Sequence, residues 1–453
     1  VKVSERPILS DLHFPRASLI IPLIVSIALV SSCRTGRAPQ GEIKMHAAQL
    51  TNTLTQAERA EIFDIVWRTV NETYYDPTFH GVDWQAVRER YRPRVEAAPN
   101  DQEFYAVFEV MLAELRDAHT SFFPPPPPGT PPDGQPGTLG LSLVEIEGQT
   151  AVSEVEADSS AARAGVRPGM ILRTVNGRPV EELYALIRAN FAGTSSERAF
   201  AALQRRAILY GGFLPKPRTL GLVNLDNSTF EVTLEQTPSA TGPAPRVEAR
   251  RLASGFGYIK FDGWTPPADK RFNDELSKLS DTPGLVIDLR ANGGGQTNVL
   301  LNIAGNFFAV PTYAGGFRRR DGTLDRYMTH APARLYKQPI VILIDERSAS
   351  ASETFTIFMQ ESKRAYVVGR QSNGALLNTR IQKIKGGGEL RVSIRAYVSP
   401  NGRVPEGTGV VPDQTIPLTI ADLRQGRDAA LEAAETYLKS QVPSPKSQVA
   451  NPL

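Results

Sequence analysis

The string Ser348-Ala349-Ser350-Ala351-Ser352-Glu353 lies between an apolar run, Ile340–Ile344, and a segment of helical character. A serine placed where a strand gives way to a helix presents its hydroxyl outward. The next backbone N–H, that of Ala351, is then available to a developing oxyanion. The same residues Ser350–Glu353 also fit a helix capping box, which carries no chemistry. A second signal lies upstream, where Leu285–Leu289 runs into Arg290-Ala291-Asn292-Gly293-Gly294-Gly295. This triplet has neither dinucleotide-site spacing nor the lysine of a phosphate loop. Its glycines, Gly294 and Gly295 above all, would instead let backbone N–H groups turn into a site. A serine nucleophile would still need a base.

The elements that position these residues can be read from the pattern. Ile62, Ile65, Val66 and Val70, then Phe104, Phe108, Met111, Leu112 and Leu115, recur at three- and four-residue spacing and predict a helical domain over 53–123. Asp83 is its expected internal N-cap. Pro124–Pro128 opens a Pro-rich linker over 124–137. From Gly255 strands alternate with helices: Phe256–Phe261, Leu285–Leu289, Ile340–Ile344 and Ala365–Gly369 are strands, with a helix from about Asn298 and another from Ser350. That alternation predicts an α/β domain with a largely parallel sheet over 247–420. Residues 421–453 read as an amphipathic helix, Ala421–Leu438, and a disordered tail.

Between these parts, Thr138–Thr237 contains Val175-Asn176-Gly177-Arg178, a type I′ hairpin signal between apolar runs. The run Ser159–Leu172, with Gly140-Leu141-Ser142-Leu143 before it, resembles a PDZ domain over 138–237. The resemblance makes Gly140–Leu143 a carboxylate-binding loop for peptide C-termini, with Met170 standing where the family has an aspartate. The plainer reading is a hairpin domain without a ligand.

At the N-terminus, Lys2, Arg6 and Arg16 precede the apolar run Ala17–Val30, which is too short to span a bilayer comfortably. It ends in Val30-Ser31-Ser32-Cys33 and resembles a bacterial lipoprotein signal over 1–32. That implies lipidation of Cys33, a tether over 33–52, and an exported envelope protein, with the outer membrane slightly favoured. An ordinary secretory signal with an incidental cysteine is the alternative.

The glycine loop, the serine string and Glu406-Gly407-Thr408-Gly409-Val410-Val411-Pro412-Asp413 together resemble the tail-specific, or C-terminal processing, serine protease family. The resemblance implies an α/β architecture with a ClpP/crotonase-like catalytic domain, an N-terminal helical domain and an inserted PDZ domain. It makes Ser350 the nucleophile. One branch of the family places a lysine 25 residues beyond the serine, and here that position is Ala375. A tricorn-like branch uses Ser, His and Glu, and Leu115-Arg116-Asp117-Ala118-His119-Thr120 resembles its histidine motif. His119 is then the general base and Glu406 the acidic partner, directly or through a hydroxyl such as Ser372. Read without the family, His119 closes a helix before a Pro-rich loop, and Glu406 is one acid among 48. Asp117 and Asp413 are expected to be structural.

Composition removes other classes. The 453 residues carry a formal net charge of +3 and no long basic run, which gives no footprint for nucleic acid. One cysteine and five scattered histidines give no disulfide framework and no metal set, and no cofactor is expected. The leading reading is an exported, membrane-anchored serine endopeptidase that takes protein or peptide substrates by their C-terminal tails. The alternative is a non-catalytic peptide- or ligand-binding lipoprotein of the same fold, motivated by the missing lysine. An acyl-CoA enzyme of crotonase type would leave the PDZ-like segment idle. Oligomeric state is not encoded in any of these motifs.

Overall fold

The computed structural model describes residues 54–125, 138–191, 193–211, 216–237, 244–331 and 335–442. The signal and tether with Cys33, most of the Pro-rich linker and the final tail lie outside the described residues. No helix among the described residues is long and apolar enough to cross a membrane.

Three helices follow one another at the start: Gln56–Thr73, Trp84–Glu96 and Asp101–Ala113. Each is begun by a side chain that accepts an orphan N–H of the first turn, from Thr55, Asp83 and Asn100. Their apolar stripes do not close on themselves. Phe63, Val66, Phe104 and Phe108 share one core with Phe122, Ile384, Leu390 and Val392, which belong to an antiparallel sheet. In that sheet the short strand Ser121–Phe123 pairs with Glu389–Val398, with Ser121 opposite Arg391 and Phe122 opposite Leu390. Tyr313–Arg319, Leu324–Met328 and Asn378–Lys383 complete it.

A six-stranded sheet forms the second layer, in the order Gln414–Thr415, Tyr366–Gly369, Ile340–Ile344, Leu285–Asp288, Gly257–Phe261, Val247–Arg251. All neighbours run parallel except the last pair. The continuous apolar runs of the central strands follow from cover on both faces. Helices Ala268–Lys278, Thr297–Gly305 and Ala351–Glu361 pack on one side, and Ala434 and Leu438 of Ala429–Gln441 on the other. The single tail helix expected over 421–438 is two helices, Ile420–Gln425 and Ala429–Gln441. Gly426 ends the first at φ +66 and Asp428 caps the second.

Residues 138–237 fold as a separate sheet, in the order Leu141–Ile146, Gln149–Val155, Ile171–Val175, Arg218–Val223, Thr229–Leu234. Asn176 and Gly177 both take positive φ, 50° and 74°, as a type I′ turn demands. Met170 is buried in its core. The stretch after Asn176-Gly177 forms two helices, Val180–Asn190 and Glu197–Tyr210. This domain is fastened to the parallel-sheet domain by Glu154–Arg347 at 2.9 Å and by Ile420 packed among Val144, Ile146 and Ile171.

Because Leu438 is fully buried against Val286, Val341 and Val368, the tail helix is part of the core. Leu438→Ala is expected to cost about 2–4 kcal/mol, read from urea unfolding.

Candidate active site

Ser350 sits at φ +54°, ψ −115°, directly before helix Ala351–Glu361. A non-glycine residue is strained there, and the surroundings hold it in place. Its N–H donates to Ala375 O at 2.8 Å and to Glu353 Oε2 at 3.0 Å. Gly294 lies against it: a Cβ on Gly294 would come within 2.6 Å of Ser350 Cβ and 2.9 Å of Ala351 N. The two loops are tied together by Ala349 N–H on Asn292 O, Ser352 Oγ on the same carbonyl, and Ala291 N–H on Asp345. Burial works against the charge of Asp345, yet Arg347, the Ala291 N–H and Arg370 prevail and hold its pKa at about 2.

Glu353, which the sequence offers only as a capping-box residue, is completely buried. Its carboxylate accepts from Ser350 N–H, Ser372 Oγ (2.5 Å), Gly374 N–H (2.6 Å) and Ala375 N–H (3.0 Å). Desolvation pushes its pKa up, while these donors pull it back down. The Ser372 hydroxyl spends its proton on Glu353 and accepts Val410 N–H at 2.7 Å, so it is not the hydroxyl that serves Glu406. Ala375, 25 residues beyond Ser350, is buried and lies beside it, its carbonyl accepting the Ser350 N–H.

Glu406 is reached through the next residue. Leu376 N–H donates to Glu406 Oε2 at 2.6 Å, so Ser350 and this acid are joined by the Ala375–Leu376 peptide. Burial, then Asp117, raise the Glu406 pKa to about 8. Glu406 itself lies in a turn and is half-buried, with its Oε1 shielded from solvent.

His119 does not close a helix either. The helix ends at Ala113, and Arg116 at φ +51° turns the chain toward the strand Ser121–Phe123. Asp117 shapes this turn, taking His119 N–H at 2.7 Å and Thr120 Oγ1 at 2.5 Å. Thr120 Oγ1 in turn accepts Ser393 N–H from the paired strand. Desolvation, aided by Arg391 and opposed by Asp117, lowers the His119 pKa, so the imidazole is neutral near pH 7. Both nitrogens of His80 are engaged, by Leu115 O and Tyr75, and Nδ1 of His330 by Asn302. His119 Nδ1 is buried without a partner, and so is Glu406 Oε1. Asp117 acts electrostatically on both groups. Among the described residues no hydrogen bond joins His119 to Ser350 or Glu406.

Of the three amides expected to face an oxyanion, that of Gly294 has a partner within its own loop. The Gly294 N–H is spent on Asn292 Oδ1 at 3.0 Å, because the buried Asn292 folds back over its own loop. Gly294 supplies closeness to Ser350, while the amides of Gly295 and Ala351 carry no acceptor among the described residues. Asp413 anchors Val367 N–H and Gln360, a structural part. Among the described residues no cluster of three or more potential metal ligands occurs. Gly294→Ala is expected to fold with a loss of about 2 kcal/mol, from the φ of +100° and the clash, and to abolish reaction of Ser350 with a fluorophosphonate.

Residues 255–416 match peptidase family S41, and residues 55–113 match the tricorn protease C1 domain. The chain is 26% identical over 382 residues to a carboxyl-terminal-processing protease of Synechocystis sp., covering 81% of this chain and 84% of that one. It is 26% identical over 396 residues to a putative tricorn protease homolog 2 of Streptomyces coelicolor, covering 83% of this chain but only 32% of that longer one. Among solved structures, the photosystem II D1 C-terminal processing protease superposes with a TM-score of 0.54 at 22% identity, covering 83% of this chain and 99% of that one. Mature CPAF in complex with lactacystin reaches 0.64 at 15% identity, covering 85% and 98%. Those two likenesses speak to the fold. The S41 match spans Ser350 and Glu406, and the tricorn C1 match ends six residues before His119; residues 255–416 are thus a serine peptidase domain of family S41, in a chain similar over most of its length to carboxyl-terminal-processing proteases.

Proposed function

We propose that Ser350, His119 and Glu406 carry out the peptide-bond hydrolysis of this serine peptidase. Ser350 Oγ attacks the scissile carbonyl, and His119 takes its proton and passes it to the leaving amine. A water then enters by the same base to release the acyl group. The oxyanion would be met by the N–H groups of Ala351 and Gly295. Glu406 would steady the imidazole as it becomes charged. The observation that carries this reading is the Ala375–Leu376 peptide, which bonds Ser350 on one side and Glu406 on the other. Complementary support comes from His119 Nδ1 and Glu406 Oε1, a nitrogen and a carboxylate oxygen both left without partners near Asp117. Triad hydrogen bonds are often long before substrate arrives and tighten afterwards.

The finer parts of the reading extend to substrate and place. The domain at 138–237 would act as a PDZ module: Leu141–Ile146 is an edge strand, open to pairing with a peptide. Gly140–Leu143 would hold the terminal carboxylate. The Gly140 N–H now donates to Thr138 Oγ1 at 2.9 Å, a hydroxyl a carboxylate oxygen would replace. Export, with anchoring of Cys33 to the envelope by lipid and the outer membrane as the favoured location, rests on the N-terminal sequence alone. Substrates would be protein or peptide tails, and no cofactor enters the reaction as written.

Ser350→Ala is expected to abolish fluorophosphonate labelling, and His119→Ala to slow it by about 10²- to 10⁴-fold with the fold intact by circular dichroism. Below a pKa of about 8 the Glu406 carboxyl holds its proton, so kcat/KM on a tail peptide should rise as pH climbs through about 8. The same raised pKa means that folded protein binds a proton the unfolded chain releases above its ordinary value of 4.5. Stability from this group is therefore full below pH 4.5 and lost as pH rises through about 8, and Glu406→Gln should remove that decline in urea unfolding.

A further inference from the structure

We propose that Ser195, carried by the inserted sheet domain, is a positioning residue of the peptidase site: its hydroxyl holds the Glu406 carboxylate in register with the His119 loop. The inference rests on the reading of Ser350, His119 and Glu406 given above. Ser195 lies between the helices Val180–Asn190 and Glu197–Tyr210, far in sequence from both groups it would join.

Ser195 Oγ accepts the N–H of Ala118, the residue before His119, at 3.0 Å. A hydroxyl has one proton and two lone pairs, and accepting that N–H leaves the proton unspent. The carboxylate of Glu406 lies within reach of this hydroxyl, and the contact draws its pKa back toward the ordinary range against burial. Glu406 Oε1 has no hydrogen-bond partner, while Oε2 is taken by Leu376 N–H, and the Cβ-forbidding approach of Gly407 to Ser195 O brings the Glu406 loop against residue 195. A small rotation of the Ser195 hydroxyl would supply the donor that Oε1 lacks, and Ser195 is held one residue from the proposed base.

The neighbours of Ser195 keep it in place. Ser196 Oγ donates to Asn373 O at 2.5 Å and accepts Ala199 N–H at 3.0 Å. Arg198 donates to Ser372 O at 2.5 Å, Thr408 O at 2.7 Å and Gly407 O at 3.2 Å. Gly407 has φ +79°, and a Cβ there would come within 3.0 Å of Ser195 O. Residues 195–198 therefore grip the loop that holds Glu353 and the loop that carries Glu406. Displacing the sheet domain would withdraw the hydroxyl and disturb the acid. The charged and titratable groups acting on Glu406 from the surrounding elements are Asp117, Glu353, Tyr74 and Tyr75. Asp117 and Glu353 disfavour its ionisation, so a hydroxyl donor at this point acts against them.

The test measures the second-order rate of Ser350 labelling by a fluorophosphonate from pH 5 to 10, with thermal midpoints recorded for each protein. Ser195→Ala should slow labelling by about ten- to a hundredfold at pH 7 and move the rise near pH 8 to higher pH. Ser195→Thr, which keeps the hydroxyl, should return the rate to within about threefold of the parent. In a Glu406→Gln background, Ser195→Ala should add less than about twofold, since the partner is already gone. An equal loss in both backgrounds would mean that Ser195 acts only on the fold, and the proposal would fall. An unchanged rate and pH profile in Ser195→Ala, with Glu406→Gln slow, would sink this proposal alone. A Glu406→Gln protein as fast as the parent would overturn the acidic role of Glu406 and this proposal with it. If Ser195→Ala does not fold, Ser195→Cys supplies the comparison: its weaker donor should give an intermediate rate and a smaller displacement of the profile.

Discussion

A single buried carboxylate organises the peptidase lobe. Glu353 is enclosed on all sides, so its charge has to be met by protein donors, and it collects three backbone N–H groups and one hydroxyl. One donor is the N–H of Ser350, which ties the strained turn at that serine to the carboxylate. The others come from Ser372, Gly374 and Ala375, and so fix the loop whose next residue, Leu376, takes hold of Glu406. The close fit extends to Gly409, where a Cβ would meet Ser372 Oγ at 2.5 Å and Glu353 Oε1 at 2.7 Å. That is why the Glu-Gly-x-Gly segment carries glycine at this point: φ is +68° and there is no room for a side chain.

The proposed base comes from a different part of the chain and is delivered by main-chain pairing. Strand Ser121–Phe123 adds itself to Glu389–Val398, and Phe122 plugs the shared core of helices and sheet. With that register set, Thr120 bonds Ser393 and Asp117 holds the turn bearing His119. Helical lobe and catalytic lobe thus share one hydrophobic core, which restricts the movement of the imidazole relative to the serine.

The electrostatics of the site suit a base that is neutral at rest. His119 loses proton affinity to burial and to Arg391, while Glu406 gains it from burial and from Asp117. Both shifts arise chiefly from removal of water, which disfavours the charged form of each group.

Much of this was legible in the residues alone. The apolar runs at Leu285, Ile340 and Tyr366 announced a buried parallel sheet, Asn176-Gly177 a hairpin of the separate antiparallel sheet, and Asp83 the cap of an N-terminal helix, because these are local preferences of period, turn and first-turn N–H. The serine string and the glycine triplet marked two loops that the fold ties together, since both depend on neighbours in sequence. Tertiary structure alone decided the rest. It spent the Gly294 N–H on Asn292 and made the capping-box Glu353 a hub. It moved the histidine off the end of its helix and divided the tail helix at Gly426. It also set Ser195 beside Ala118, which no spacing could reveal. Such contacts join residues far apart along the chain, and a hydrogen bond is specified by where its partners meet in space.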